Sequence, residues 1–268
     1  MSTFTTAVAE YMNAPVITLN ESDSVLAAQD KLAMLRISAL AVVDRDGGLV
    51  GVVSRTDLLR VGRRRAGKPT PTQSRRRHAL VLPNVPVRQV MTPYVEIIAG
   101  STTLAEAAKR MTRQNVHRLY ISNDRRPDGV LSTKDLMQAV VDARVSLPVS
   151  ELMQKVVTVR ASDPLSVAMD RIQSVQPQGL VVLEDEWPVG VFRQEDALAA
   201  REAPPDEPVD QYMEARAISV PVALPAFRAA EQAIASHARR VLAVDGTTVR
   251  GIVSGMDFAR LIANTADK

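Results

Sequence analysis

The sequence predicts an α+β protein made of four copies of one β-α-β-β-α unit, paired two by two, and three observations carry that prediction. First, GVVSRTDLL (51–59), GVLSTKDLM (129–137), GVFRQEDAL (190–198) and GIVSGMDFA (251–259) share a glycine, two apolar residues and an Asp six positions after the glycine. Second, a methionine precedes each at nearly constant distance: Met12 lies 45 residues before Asp57, Met91 44 before Asp135, Met153 43 before Asp196, and Met213 44 before Asp257. Third, 268 residues that are 46% hydrophobic can fill the cores of about two domains. One copy of roughly 60 residues is marginal when folded alone, so the copies are expected to pair.

The elements of a copy follow from period and punctuation. In the first copy VITL (16–19) reads as a short β run, and SDSVLAAQDKLAMLR places apolar residues at helical spacing behind a Ser/Asp cap. In the third copy Asp163 stands at the cap and Pro164 at the first helical position, where its missing N–H costs nothing. LAVVD, a turn containing glycine and LVGVVS make a hairpin, and the chain from Arg55 onward reads as a second helix. The copies are bounded at 1–60, 85–145, 146–203 and 204–268, with an insertion at 61–84.

That insertion breaks the rhythm. Residues 60–78, RVGRRRAGKPTPTQSRRRH, carry eight Lys/Arg and no acid, while the rest of the chain has five more acids than bases. The formal charge of +3 is therefore set by this segment. It reads as a charged loop. Contact with nucleic acid is the alternative reading, but the segment lacks the aromatic residues on which bases stack.

Composition also excludes several classes. Without cysteine there is no disulfide, thiolate metal site or cysteine nucleophile, which suits a reducing compartment, and a cytoplasmic location is expected. No run approaches the roughly 18 apolar residues that cross a bilayer, and the N-terminus does not read as a secretion signal. The three histidines, His78, His117 and His237, have no metal-ligand spacing, so no metal is expected. No nucleophile–base pair or glycine-rich phosphate loop is present, and the carboxylates recur once per copy; the sequence does not read as an enzyme.

The β-α-β-β-α unit and the hairpin ending in G-h-h-S-x-x-D, where h is apolar, resemble the CBS domain, named after cystathionine β-synthase. The resemblance covers nearly the whole chain outside the insertion. It implies that repeats pair through their sheets into two pseudo-twofold Bateman modules, often in a disc-like arrangement, with homodimers through the helices usual. It also implies that adenosine-bearing ligands bind in clefts between paired repeats. The regulatory ligand would be AMP, ADP, ATP or S-adenosylmethionine, with no catalytic cofactor, and the module would act on a regulated protein that the sequence does not identify.

An ionised carboxylate can accept from both hydroxyls of a ribose, which suits Asp57, Asp135, Asp196 and Asp257. The hydroxyl three residues earlier stands where free N–H groups of a helix start favour an anion; Ser54, Ser132 and Ser254 supply it, and the third copy has Arg193. That guanidinium would either bind a phosphate or fill the cleft. In the family a first-strand hydroxyl also touches the ligand, a place held here by Thr18, Thr158 and Ser219, with Ile97 in the second copy. His117 and Arg118 resemble a His-Arg pair that contacts phosphates in the γ subunit of AMP-activated protein kinase, and the fourth copy has Arg239 and Arg240 there. The first and third have Ser38-Ala39 and Gln178-Gly179. Two blander readings stand beside these: an Asp three residues after a Ser caps a helix, and a His-Arg pair before a strand is often surface.

Overall fold

The computed structural model describes residues 4–35, 37–64, 82–174, 179–200, 203–215, 217–238 and 240–265. Every copy shows the expected order. The first has β1 (Thr18–Asn20), α1 (Val25–Met34), the hairpin β2 (Ala39–Val43) and β3 (Leu49–Ser54), and α2 (Arg55–Arg64). The second has β4 (Thr92–Pro93), β5 (Ile97–Ile98), α3 (Leu104–Gln114), β6 (Arg118–Ile121), β7 (Gly129–Ser132) and α4 (Thr133–Asp142). The third runs β8 (Val157–Arg160), α5 (Leu165–Ser174), β9 (Leu180–Glu184), β10 (Trp187–Phe192) and α6 (Gln194–Ala200). The fourth runs β11 (Ala217–Pro221), α7 (Ala226–Ala235), β12 (Arg240–Asp245), β13 (Thr248–Ser254) and α8 (Gly255–Thr265). In each sheet the middle strand pairs in parallel with the copy's first strand. The hairpins β2–β3, β9–β10 and β12–β13 are antiparallel.

Three readings of local structure are corrected. The first strand starts at Thr18 rather than Val16, where pairing with Ala41 begins. The helix α5 starts at Leu165, so Pro164 occupies the cap position rather than the first turn, and Asp163 does not cap. Its carboxylate turns back to accept the Arg160 N–H at 3.0 Å, leaving the Pro164 carbonyl to receive the first helical N–H groups. Finally, α2 continues to Arg64, so the first residues of the basic insertion are helical; leucine and arginine are good helix formers. The rest of the basic segment, 65–81, lies outside the described residues.

The chain divides into two compact units, residues 13–100 with 120–130, and residues 1–12, 101–119 and 131–268. The smaller is built on the first copy, around Leu19, Val25, Leu32, Leu40, Val42 and Val53. There β4, from the second copy, adds to the edge of β3 through Gly51↔Pro93 and Val52↔Thr92. In the larger unit the third and fourth copies face each other through Val181 and Val191 on one sheet and Leu242 and Ile252 on the other. Its helices α3 and α4 pack on α7 and α8.

A crossing of segments explains the repeated methionine and glycine. In all four copies the stretch before the methionine is a 3₁₀ turn headed by a fully buried valine that docks on the paired copy, Val8 N–H donating to Thr102 in the first. Val87 N–H donates to Asp23, Val149 N–H to Leu224, and Val209 N–H to Asp163. In the last three the methionine then lies over the motif glycine of that copy. A Cβ on Gly51 would stand 2.6 Å from Met91 Sδ, on Gly190 2.5 Å from Met213 Sδ, and on Gly251 2.5 Å from Met153 Sδ. Any other residue would displace the methionine and, at Gly51 and Gly190, meet a backbone carbonyl at 2.9 Å, so the glycine of the motif serves pairing.

Candidate functional site

Residues opposite each other on neighbouring strands share a face, as do residues two apart on one strand. In the fourth copy Ser219 lies opposite Leu242, and Arg240 opposite Ser254, so Ser219, Arg240 and Ser254 share a face with Leu242. In the third, Thr158 lies opposite Val181, with Gly179 and Arg193 at the corresponding ends of the strands. Thr18 opposite Ala41, and Ala39 opposite Ser54, give the first copy the same arrangement. In the second, Ile97 lies opposite Tyr120, two residues from Arg118. For the third and fourth copies this is the face whose apolar centre joins the two sheets. The polar residues flank that centre on the same face.

Each motif Asp caps its second helix. Asp57 Oδ2 accepts from the Ser54 N–H at 2.9 Å and its hydroxyl at 2.6 Å; the distances at Asp135 with Ser132 are 2.7 and 2.7 Å, and at Asp257 with Ser254 2.8 and 2.8 Å. The hydroxyl hydrogen of each serine is thus directed to its own helix. In the first and fourth copies the second oxygen meets the arginine three residues further along the helix. Asp57 Oδ1 meets Arg60 at 3.3 Å and the Thr92 hydroxyl at 3.4 Å, while Asp257 Oδ1 meets Arg260 at 2.5 Å. The capping reading therefore holds in all three, and in the first and fourth the other oxygen is held by an arginine.

The third copy differs. Arg193 grips Asp196 with two bonds, Nε to Oδ2 at 3.0 Å and a terminal nitrogen to Oδ1 at 3.2 Å. Its remaining terminal nitrogen reaches Glu214 of the fourth copy at 2.9 Å. The Arg193 guanidinium is thus taken up by two carboxylates, one from each repeat.

Glu214 belongs to a position that inspection of single copies misses, the residue after the repeated methionine. The crossing segment pairs this residue with the strand that leads to the other copy's Asp: Thr92 with Val52, Gln154 with Ile252, and Glu214 with Val191. Thr92 at Asp57 and Glu214 at Arg193 are therefore contributed in trans, between copies, and the signal for them was the fixed place behind each methionine.

The two even copies bring their basic positions together within the larger unit. His117 is open to solvent on one side, yet desolvation first, then the charges of Arg240 and Arg118, lowers its imidazole below the usual range. Nearby, a Cβ on Gly255 at the start of α8 would stand 2.6 Å from Thr133 Oγ1 at the start of α4, so these two helix beginnings abut. Arg239 lies outside the described residues. Among the described residues no group of three or more His, Asp and Glu could hold a metal ion, and no helix is long and apolar enough to cross a membrane.

The family model of the CBS domain matches residues 8–64, 87–142 and 149–203. An inosine-5'-monophosphate dehydrogenase of Rhodopirellula baltica is 29% identical over 122 residues, 45% of this chain and 19% of that protein. The uncharacterized protein MJ1404 of Methanocaldococcus jannaschii is 25% identical over 139 residues, 52% of this chain and 33% of that one. The chain thus spans about a fifth to a third of the length of these curated relatives. Among solved structures, protein MJ1225 of M. jannaschii superimposes with a TM-score of 0.74 at 16% identity, over 96% of this chain and 100% of that one. An uncharacterized conserved protein of Pyrococcus horikoshii gives 0.65 at 17%, with the same coverage. At such identities the likeness establishes the fold. Matched by the family model over more than half its length and folded as four copies of one unit, the chain belongs to the CBS-domain family.

Proposed function

We propose that the chain is a non-catalytic regulatory module that senses an adenine nucleotide or related adenosyl compound in the clefts between paired repeats. The observation that carries this reading is the shared face of Ser219, Arg240 and Ser254, beside Asp257, at the rim of a sheet-to-sheet contact. Apolar side chains at the rim offer walls for a flat base. The second oxygen of Asp257 accepts a ribose hydroxyl in exchange for Arg260, Arg240 with Arg118 offers positive charge to a phosphate, and the uncharged His117 offers an N–H. In the first copy Thr18, Ser54 and Asp57 are placed alike, with Thr92 as an added hydroxyl, but Ala39 brings no charge.

The first and fourth repeats are therefore the stronger sites. The second, which has Ile97 in place of the hydroxyl, is weaker. Occupation changes how paired repeats sit against each other, and a partner protein reads that change; assembly as a homodimer belongs to the same proposal.

Calorimetry with AMP, ADP, ATP and S-adenosylmethionine tests it. At least one is expected to bind, and to raise the unfolding temperature more than guanine, pyrimidine or nicotinamide compounds do. No heat from any of the four at millimolar concentration would overturn the reading.

A further inference from the structure

The third repeat carries three departures from its sisters that meet at one point. Where the other copies have Ser54, Ser132 and Ser254, it has Arg193. Where the residue after the methionine is uncharged in Asn13, Thr92 and Gln154, the one that faces this repeat is Glu214. Where the middle strand begins with Ala39, Arg118 and Arg240, it has Gly179, whose added Cβ would stand 3.1 Å from Arg193 Cγ and 2.8 Å from the Phe192 carbonyl. The positive φ of 93° and the Phe192 carbonyl already disfavour a side chain at 179, and the arginine stem would have to give way as well, so the glycine keeps this end of the strand open beside Arg193.

A fourth change completes the set. Asp57 and Asp257 are neutralised from the outer side by Arg60 and Arg260, three residues further along the helix and largely open to water. That place is Gln138 in the second repeat and Ala199 in the third, and only in the third does a positive charge stand on the inner side, where the Arg193 side chain is 13% exposed. Both oxygens of Asp196 are spent on it, and Glu214 holds it from the opposite repeat. One guanidinium between two carboxylates leaves a net negative charge, which repels a phosphate.

We propose that Arg193 is a built-in plug: it stands in the adenosyl cleft of the third repeat, tied to Asp196 and Glu214, so that this cleft takes no nucleotide until the guanidinium is removed. Thr158 and Asp196, placed among the ligand residues by their position in the repeat, then line a closed cleft. The plug also joins the third and fourth repeats whether or not ligand is present, so that the fourth repeat's site works against a fixed neighbour. The identity of the excluded ligand rests on the function proposed above; the tie itself does not.

The test counts AMP bound per chain by equilibrium dialysis. Removing the arginine alone would leave two carboxylates facing each other, so Arg193→Ser is combined with Glu214→Thr, which supplies the serine and threonine that face Asp57 in the first repeat. This double variant is expected to bind one more AMP than the wild type, and adding Asp196→Ala should return the count to the wild-type value. An unchanged count in a folded double variant, when the wild type binds AMP, overturns the plug. So does a count that falls when Asp196→Ala is made in the wild type.

If neither protein binds any adenine nucleotide, it is the sensing function that fails. The tie is then judged by a double-mutant cycle on urea unfolding. Coupling of about tenfold or more in the unfolding constant between Arg193→Ser and Glu214→Thr sustains it, and effects that multiply to within about twofold refute it.

Discussion

Replacing Asp257 separates the two roles of the motif carboxylate. Its side chain is nearly sealed from solvent and accepts the Ser254 N–H and hydroxyl on one oxygen and Arg260 on the other. In Asp257→Ala the helix α8 loses a cap, worth about 0.5–2 kcal/mol. The buried Ser254 donors are left without an acceptor, at about 1–3 kcal/mol. The lost pair with Arg260, whose side chain is 44% exposed, adds less than about 1 kcal/mol. These terms overlap, so the expected loss is about 2–4 kcal/mol of unfolding free energy. Asp257→Asn keeps one carbonyl acceptor and should fall between the alanine variant and the wild type. Asp135 is only half-buried, so water can replace its bonds and Asp135→Ala should cost about 1 kcal/mol. Urea unfolding followed by circular dichroism gives the ranking. A loss below about 1 kcal/mol for Asp257→Ala, or one no larger than that of Asp135→Ala, would refute the reasoning. Affinity is a separate readout. If the second oxygen also holds a ribose, Asp257→Ala should weaken the best nucleotide by roughly 30- to 150-fold, equivalent to about 2–3 kcal/mol.

His117 should titrate below the ordinary histidine value in a ¹H–¹⁵N NMR pH series, and Arg240→Gln should move its midpoint upward. Because the folded pKa is the lower one, stability should decline as pH falls through about 6.5, where only the unfolded chain takes up the proton, and His117→Gln should flatten that decline. Burial and its hydrogen bond to Asp142 at 2.8 Å push the Tyr11 hydroxyl up to about 12, as the bond to Glu207 does for Tyr212, so Tyr11→Phe should roughly halve the late phase of the ultraviolet titration. Gly51→Ala should cost about 1–3 kcal/mol, read as a lower urea midpoint, since the new Cβ meets both Met91 Sδ and the Thr92 carbonyl; a neutral result would dismiss the pairing role of the motif glycine. For the basic segment, the full chain should not shift duplex DNA at about 150 mM salt. A shift that a deletion of 65–81 abolishes would favour nucleic-acid binding instead.

Much of the fold was legible because it repeats. Four occurrences of one spacing fix a β-α-β-β-α unit even where a single strand is as short as Ile97–Ile98, which no local pattern would reveal. The errors fell where sequence cannot see a partner. Asp163 before Pro164 reads as a cap, but its carboxylate found the Arg160 N–H of its own strand, and the helix began one residue later. The valine four residues before each methionine, at 8, 87, 149 and 209, is as regular as the methionine itself, but its burial depends on another copy.

The site was legible in its residue types and only half legible in its bonds. Serine and aspartate at a strand-to-helix junction could serve a helix or a ligand, and the same atoms prove to serve the helix first. A motif that recurs with its structural role intact can therefore survive in a copy that binds nothing, so the aspartate by itself says little about occupancy. The discriminating residues lie around it. Glu214 and Gly179 flank Arg193 from a different repeat and a different strand, so no single stretch of sequence shows all three together. Comparing equivalent positions across the four copies does show them, because each breaks the pattern in the one place where the others can compensate. Internal repeats thus act as their own alignment: a position that varies alone is uninformative, whereas Arg193 and Glu214, departing together on two repeats and bonded to each other, mark a site whose chemistry has been changed as a unit.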